Sequence, residues 1–259
     1  MPSNAQSKLI RSLHRKKARR EQGLFLVEGE KVVAELLASE WQVHSLYASL
    51  EFLQNNQNLV QQSGVVVIEC DADKLSTVGT LQSNKAALAI VHCPEYAKLP
   101  CLDKNAWALA LDSINDPGNL GSILRIADWY GINQVVCSPC TVELFNPKVI
   151  AASKGSFLRV ALYPTDLAVW FDSLVEEKQV LGAFLQGESV HQIQPTIAKQ
   201  GGVIVLGNEA QGISAAIAQR VTHQVTIPAF GHAESLNVAM ATAIICDNIR
   251  RLESTGLGE

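Results

Sequence analysis

Val203-Ile204-Val205-Leu206-Gly207-Asn208-Glu209-Ala210-Gln211-Gly212-Ile213-Ser214 passes from an apolar run through two glycines to a serine. Four consecutive apolar residues, three of them β-branched, read as a short strand buried on both faces. Gly207 and Gly212 permit a tight turn and close backbone approach, and a helix is predicted from about residue 214. A buried strand, a glycine turn and a helix are the unit of a parallel sheet covered by helices on both sides. In such sheets ligands bind outside the carboxyl ends of the strands, which is where Asn208 and Glu209 stand.

The same pattern extends in both directions. Strands are predicted at 106–111, 134–137, 157–162, 180–185 and 221–227, with helices over about 119–130, 147–154, 165–178 and 235–252. Upstream, a helix with a basic polar face is predicted over 6–20, a strand at 24–27, a helix over 28–38 with Val32, Val33, Leu36 and Leu37 inward, a strand at 43–47, a helix over 50–62, a buried strand at 65–68 and another strand at 86–91. The stretch 93–105 carries two prolines, two lysines and little apolar pattern, and reads as a linker. The expected organisation is a small α/β domain over 1–95, a linker over 96–105 and a larger α/β domain over 106–259, its sheet mostly parallel with helices on both faces.

At roughly 100–200 residues per domain, 259 residues allow one or two domains. A hydrophobic share of 47% excludes a disordered chain. The net charge of -4 argues against a nucleic-acid partner only as an average. Residues 1–20 hold seven of the 21 basic side chains and no acid, so the other 14 face 25 acidic ones. The N-terminus has no apolar core and is not a secretory signal, and no apolar run reaches the roughly 18 residues that span a bilayer. A cytoplasmic location without membrane attachment is expected. Cys137-Ser138-Pro139-Cys140 has CxxC spacing but no second ligand pair, so two semi-buried thiols at a strand end are expected and no metal.

Two further segments join the first at predicted strand ends. Asp112 to Asp128 (DSINDPGNLGSILRIAD) holds a glycine- and proline-rich turn in which Asn119 is expected to cap the helix. Arg125 follows six residues later amid apolar neighbours, as either a structural salt bridge or a cation held near a reacting or phosphate oxygen. Glu209 has a similar choice between orienting a polar ligand or Arg125 and simply entering a helix. Ile227 to Val238 (IPAFGHAESLNV) places Ser235 as the expected N-cap of the final helix, and its backbone between Ile227 and Leu236 offers groups to cradle a purine. That helix carries two apolar stripes, one of Leu236, Met240 and Ile244, the other of Val238, Ile245, Ile249 and Leu252. One covers the sheet; the other fits a second subunit or burial within the monomer. GxGxxG, GxxxxGK[ST] and GxSxG are all missing, which weakens dinucleotide, P-loop and hydrolase readings.

Together and in this order, the three segments resemble the SpoU, or TrmH-type, RNA ribose 2'-O-methyltransferases of the SPOUT class over essentially all of 106–252. Asn146-Pro147-Lys148-Val149 and Ser153-Lys154-Gly155 match a further family stretch, and residues 9–37 are similar to the family's L30e-like RNA-binding extension. Ala210 and Ala239 depart from the family's common glycine and serine. The resemblance implies transfer of a methyl group from S-adenosylmethionine to a ribose 2'-hydroxyl, a C-terminal trefoil knot and a homodimer. It implies catalytic roles for Arg125, Asn119, Glu209, Ser235 and Asn237, and a cofactor site around Leu206, Gly207, Gly212, Ile227, Pro228 and Leu236. Arginine is effectively always protonated, so Arg125 is expected to stabilise the developing oxyanion and grip the adjacent phosphate. Arg11, Arg15, Lys16, Lys17, Arg19 and Arg20 are the expected RNA contacts. An rRNA target, 23S rRNA foremost, is favoured over tRNA by the separate N-terminal domain; a catalytically silent RNA-binding protein of the same fold and a small-molecule enzyme on a doubly wound sheet are the competing classes.

Overall fold

The computed structural model describes residues 1–94, 99–174 and 178–254. The chain forms two compact units, Met1–Glu95 with Glu143–Leu158, and Tyr96–Val142 with Arg159–Glu259. In the first unit α1 (Asn4–Ser12) opens on a capping box, with Ser3 Oγ accepting from the Gln6 N–H and Gln6 Oε1 from the Ser3 N–H. The single helix expected over 6–20 is two, because the chain turns at Leu13–Arg15 before α2 (Lys16–Gln22). Ile10 and Leu13 are wholly buried there, and His14 Nε2 lies 3.0 Å from the Val78 carbonyl. Core burial at Leu13 outweighs continuation of the helix.

There follow β1 (Leu24–Glu28), α3 (Glu30–Leu37), β2 (Val43–Ala48), α4 (Leu50–Asn55), α5 (Gln57–Ser63), β3 (Val67–Glu69), α6 (Ala72–Val78) and β4 (Ala87–His92). The sheet order is β1-β4-β2-β3, with β4 antiparallel to both neighbours and β3 parallel to β2. The strand expected to be buried at 65–68 is instead a short exposed edge, with Val66 64% and Val67 38% exposed. An edge strand has one paired side, so its apolar run does not imply burial. The helix expected over 50–62 breaks at Asn56, and α6 has no counterpart in the sequence reading.

The second unit begins with β5 (Trp107–Leu111), α7 (Pro117–Trp129) and β6 (Gln134–Cys137). The next helix, α8 (Pro147–Ser153), belongs to the first unit and packs against β1. Phe145 and Phe157 flank α8, both buried, with ring centroids 4.5 and 6.1 Å from that of Phe25. The division placed at 96–105 is therefore crossed again by Glu143–Leu158, whose aromatic rings find their apolar partners on β1. A 3-10 turn (Ser156–Leu158) and β7 (Ala161–Pro164) replace the strand expected over 157–162.

The chain continues through α9 (Leu167–Asp172), β8 (Gln179–Ser189), α10 (Pro195–Gln200), β9 (Gly202–Leu206), α11 (Ala215–Ala218), β10 (His223–Thr226) and α12 (Val238–Ser254). Residues 96–98 of the expected linker, 175–177 of the helix expected over 165–178, and 255–259 of the C-terminal domain lie outside the described residues. Helix α10 went unread in the sequence. The sheet order is β10-β8-β9-β5-β6-β7 and every pairing is parallel. Every residue of β5 and β9 is buried, as a strand covered on both faces requires. Ala108, Ala110, Val203 and Val205 pack with Trp170, Phe171, Ile213 and Ile217. Among the described residues, no helix is long and apolar enough to cross a membrane.

Candidate functional site

Register sets the site. Leu111 pairs with Leu206 on one side and Cys137 on the other, so β5, β9 and β6 end level and their following loops emerge side by side. The Asp112 N–H extends the ladder to the Leu206 carbonyl at 2.9 Å. Its carboxylate is buried, with Oδ2 accepting the Ser214 N–H at 2.8 Å and Oδ1 the Ser113 hydroxyl at 3.2 Å. Ser113 holds φ 62, a left-handed conformation uncommon outside glycine. Three bonds hold it: its N–H donates to Ser138 Oγ at 2.8 Å, its carbonyl accepts from Asn208 Nδ2 at 2.9 Å, and its hydroxyl meets Asp112.

The same amide shapes the β9–α11 loop. Asn208 Oδ1 accepts the N–H groups of Ala210 and Gln211, while Asn208 and Gly212 exchange backbone bonds of 3.0 and 2.8 Å. Gly212 has φ 70, and a Cβ on Gly207 would stand 2.2 Å from the Gly212 carbonyl carbon. Both glycines are therefore required by the turn that presents Glu209.

Asn119 does not cap its helix. Asp116 does, accepting the Asn119 N–H at 2.8 Å, with Pro117 in the first turn. The Asn119 side chain is thus released for longer contacts. Its Nδ2 donates to Glu209 Oε1 at 2.6 Å, and its Oδ1 accepts from Asn237 Nδ2 at 2.9 Å. Nor does Ser235 cap the last helix. Asn237 Oδ1 accepts the N–H groups of Ala239 and Met240, and α12 starts at Val238. Ser235 is exposed and two residues short of that role. Asn237 can bind α12 and Asn119 at once because its amide carries both acceptor and donor.

Arg125 lies on α7, exposed and with no side-chain partner among the described residues, so neither the expected apolar surroundings nor a structural salt bridge applies. From Ala229 to Leu236 neither backbone nor side chain hydrogen-bonds within the described residues. Ile227 and Pro228 are half-buried, Leu206 is buried and Leu236 is 51% exposed. In the sheet β10 is separated from β9 by β8 alone, so the loops that follow them emerge from the same end of the sheet. Free backbone groups beside apolar side chains fit a ligand such as S-adenosylmethionine.

In the first unit Arg11, Arg15, Lys16, Lys17 and Arg20 are exposed. Arg19 is not available for RNA. Its side chain is 4% exposed, ion-paired with Glu143, and donates to the Leu13 carbonyl at 2.8 Å. Asp112, Asn208 and Ser138 had no assigned part in the sequence reading; the one available signal was a carboxylate ending the apolar run 107–111. Cys137 and Cys140 do not pair. Burial pushes the Cys137 thiol up to about 12, whereas Cys140 is exposed. No cluster of His, Cys, Asp and Glu suited to a metal occurs among the described residues.

Residues 106–247 match the model of the SpoU rRNA Methylase family, and residues 4–89 that of an MRM3-like substrate binding domain. The 23S rRNA (guanosine(2553)-2'-O)-methyltransferase RlmP of Bacillus subtilis is 32% identical over 95% of this chain and 96% of its own. A putative RNA methyltransferase of the TrmH family from Porphyromonas gingivalis superposes with a TM-score of 0.81 at 33% identity, covering 97% of this chain and 99% of that one. An AdoMet-bound rRNA methyltransferase from Sinorhizobium meliloti superposes with a TM-score of 0.85 at 27% identity, covering 97% of each chain.

Proposed function

The chain belongs to the SpoU rRNA methylase family, and from that premise we propose that it transfers the methyl group of S-adenosylmethionine to a ribose 2'-hydroxyl of ribosomal RNA, in 23S rRNA rather than in tRNA. The observation that carries the reading is the chain of bonds Asn237–Asn119–Glu209, which joins the start of α12, the first turn of α7 and the β9–α11 loop, segments far apart in sequence. A catalytically silent relative would have no need of it.

Leu206, Gly207, Gly212, Ile227, Pro228 and Leu236 would hold the cofactor, chiefly through backbone groups. When bound, S-adenosylmethionine supplies an electrophilic methyl carbon. Arg125 acts through its guanidinium charge: it stabilises negative charge growing on the 2'-oxygen and grips the neighbouring phosphate, while the 2'-hydroxyl proton leaves to solvent. Glu209 fixes the Asn119 amide, and Asn237 anchors that amide to the start of α12. Ser235, exposed and two residues before Asn237, would be available to the ribose. Alignment of the reacting oxygen is the main contribution of such a set.

The same reading includes a trefoil knot, a cytoplasmic location and a homodimer. For the dimer, Val238, Ile245, Ile249 and Leu252 are buried, while Met240 on the other stripe of α12 is 63% exposed. A second subunit would cover it. Transfer of labelled methyl from S-adenosylmethionine to rRNA from a strain lacking the protein tests the activity, and mapping the product names the nucleotide. Arg125→Ala and Arg125→Lys should both lose turnover; wild-type turnover in both removes Arg125 from the mechanism.

A further inference from the structure

The first unit gathers cations from two distant parts of the sequence. Around Glu143 stand Arg19, ion-paired with its Oε1, and Lys16, whose Nζ lies 3.9 Å from Oε2. The chain then turns: the Asn146 N–H donates to the Glu143 carbonyl, and the Lys148 N–H donates to Asn146 Oδ1 at 3.0 Å. Lys148 is exposed and has no side-chain partner among the described residues. Both oxygens of the Glu143 carboxylate are thus engaged by Arg19 and Lys16, and Lys148 adds a charge with no ion pair of its own; the other carboxylate at this segment, Glu35, stands against Gly155, past the far end of α8. Arg15 and Arg20 flank Lys16, and the acid on α2, Glu21, is engaged by Lys17 at 3.8 Å.

Resting on the reading of this chain as an rRNA methyltransferase, we infer that the RNA-binding face of the first unit continues from α2 onto the Glu143–Leu158 segment, with Lys148 as a phosphate contact. The buried Arg19–Glu143 pair is the pin that holds the two cationic pieces in one surface. Sequence inspection places Lys148 in the catalytic stretch, yet packing places it with the basic helices. A lysine without an ion pair, on the segment that Arg19 and Lys16 hold through Glu143, fits a polyanion.

The test uses the full-length protein and unmodified, transcribed 23S rRNA, with affinity measured between 50 and 200 mM KCl. Each phosphate contact adds about 0.7–0.9 to the slope of log affinity against log salt. Lys148→Ala should lower the slope by about that amount and weaken binding about fivefold at 150 mM salt, and Lys148→Glu should weaken it more. KM for RNA should rise while kcat at saturating RNA and the affinity for S-adenosylmethionine stay unchanged. Lys199→Ala, an exposed lysine of α10, is the control and should match wild type. Wild-type affinity and slope in both Lys148 variants, with binding lost in Arg15→Ala, overturn the inference alone. Failure of the wild-type protein to bind rRNA at all would instead overturn the functional reading, and the inference with it.

Discussion

Asn119→Asp is the sharpest perturbation of the site, because it changes one atom's hydrogen-bonding sense and almost no volume. Asn119 Nδ2 donates to Glu209 Oε1 at 2.6 Å, while its Oδ1 already accepts from Asn237. Aspartate keeps the bond from Asn237 but faces Glu209 with a second carboxylate oxygen. Loss of a hydrogen bond to a charged group costs about 1.5–3 kcal/mol. Like charges about 4 Å apart repel by about 1 kcal/mol in bulk water and about 4 kcal/mol at an effective dielectric of 20. Glu209 is exposed, so the low end applies and the total is about 3 kcal/mol. At about 1.4 kcal/mol per decade, kcat/KM for rRNA should fall roughly 100-fold. The assay is methyl transfer at subsaturating rRNA, with thermal unfolding as the fold control. Adding Glu209→Gln lets the glutamine amide donate to the new carboxylate and should recover about tenfold. Activity of Asn119→Asp within threefold of wild type, or a double variant no better than the single one, would refute the claim that this bond positions the site.

Removing Glu143 strands a guanidinium whose side chain is 4% exposed, whereas removing Arg19 leaves a carboxylate that is 19% exposed and still close to Lys16. Glu143→Ala should therefore destabilise by about 3 kcal/mol and more than Arg19→Met does; the reverse order in urea unfolding would contradict the buried-pair account. Burial raises Cys137 and Cys246 to about 12 against an ordinary 9.0. A folded-state pKa above the unfolded one gives stability that is present below pH 9 and drains away as pH climbs towards 12; Cys137→Ala should flatten that slope in melting curves, and an unchanged slope would show the thiol not to be so buried. Met240→Lys should convert a dimer to a monomer by light scattering, since a symmetric interface loses the contact twice. A monomeric wild-type protein at micromolar concentration would end the dimer reading.

Much of this molecule is legible in the chain itself. The all-apolar run Val203–Leu206 predicts a strand covered on both faces, and β9 is that strand. The three loop segments stand at strand ends as their glycines and prolines suggest. What the sequence misplaces are features chosen between equivalent local options. Ser235 and Asn237 are both good caps; Asn237 takes the place because its other amide atom reaches Asn119. Arg19 and Arg20 are neighbours of one type, yet the turn at Leu13–Arg15 points one to Glu143 and leaves the other in water. Val65 to Ile68 has the apolar content of a core strand and lies at an edge, because composition does not say how many neighbours a strand will have.

The alternation of strands and helices, the position of the loops at the strand ends and the split between an acidic body and a basic N-terminus are all legible in the chain, because each follows from residues near one another in it. Tertiary structure alone decided that Glu143–Leu158 sits with the first unit, that Asp116 and Asn237 cap so that Asn119 is free to meet Glu209, and that Arg125 faces solvent. These depend on strand register and on buried charge finding a partner up to 124 residues away, and no local pattern encodes a partner at that distance.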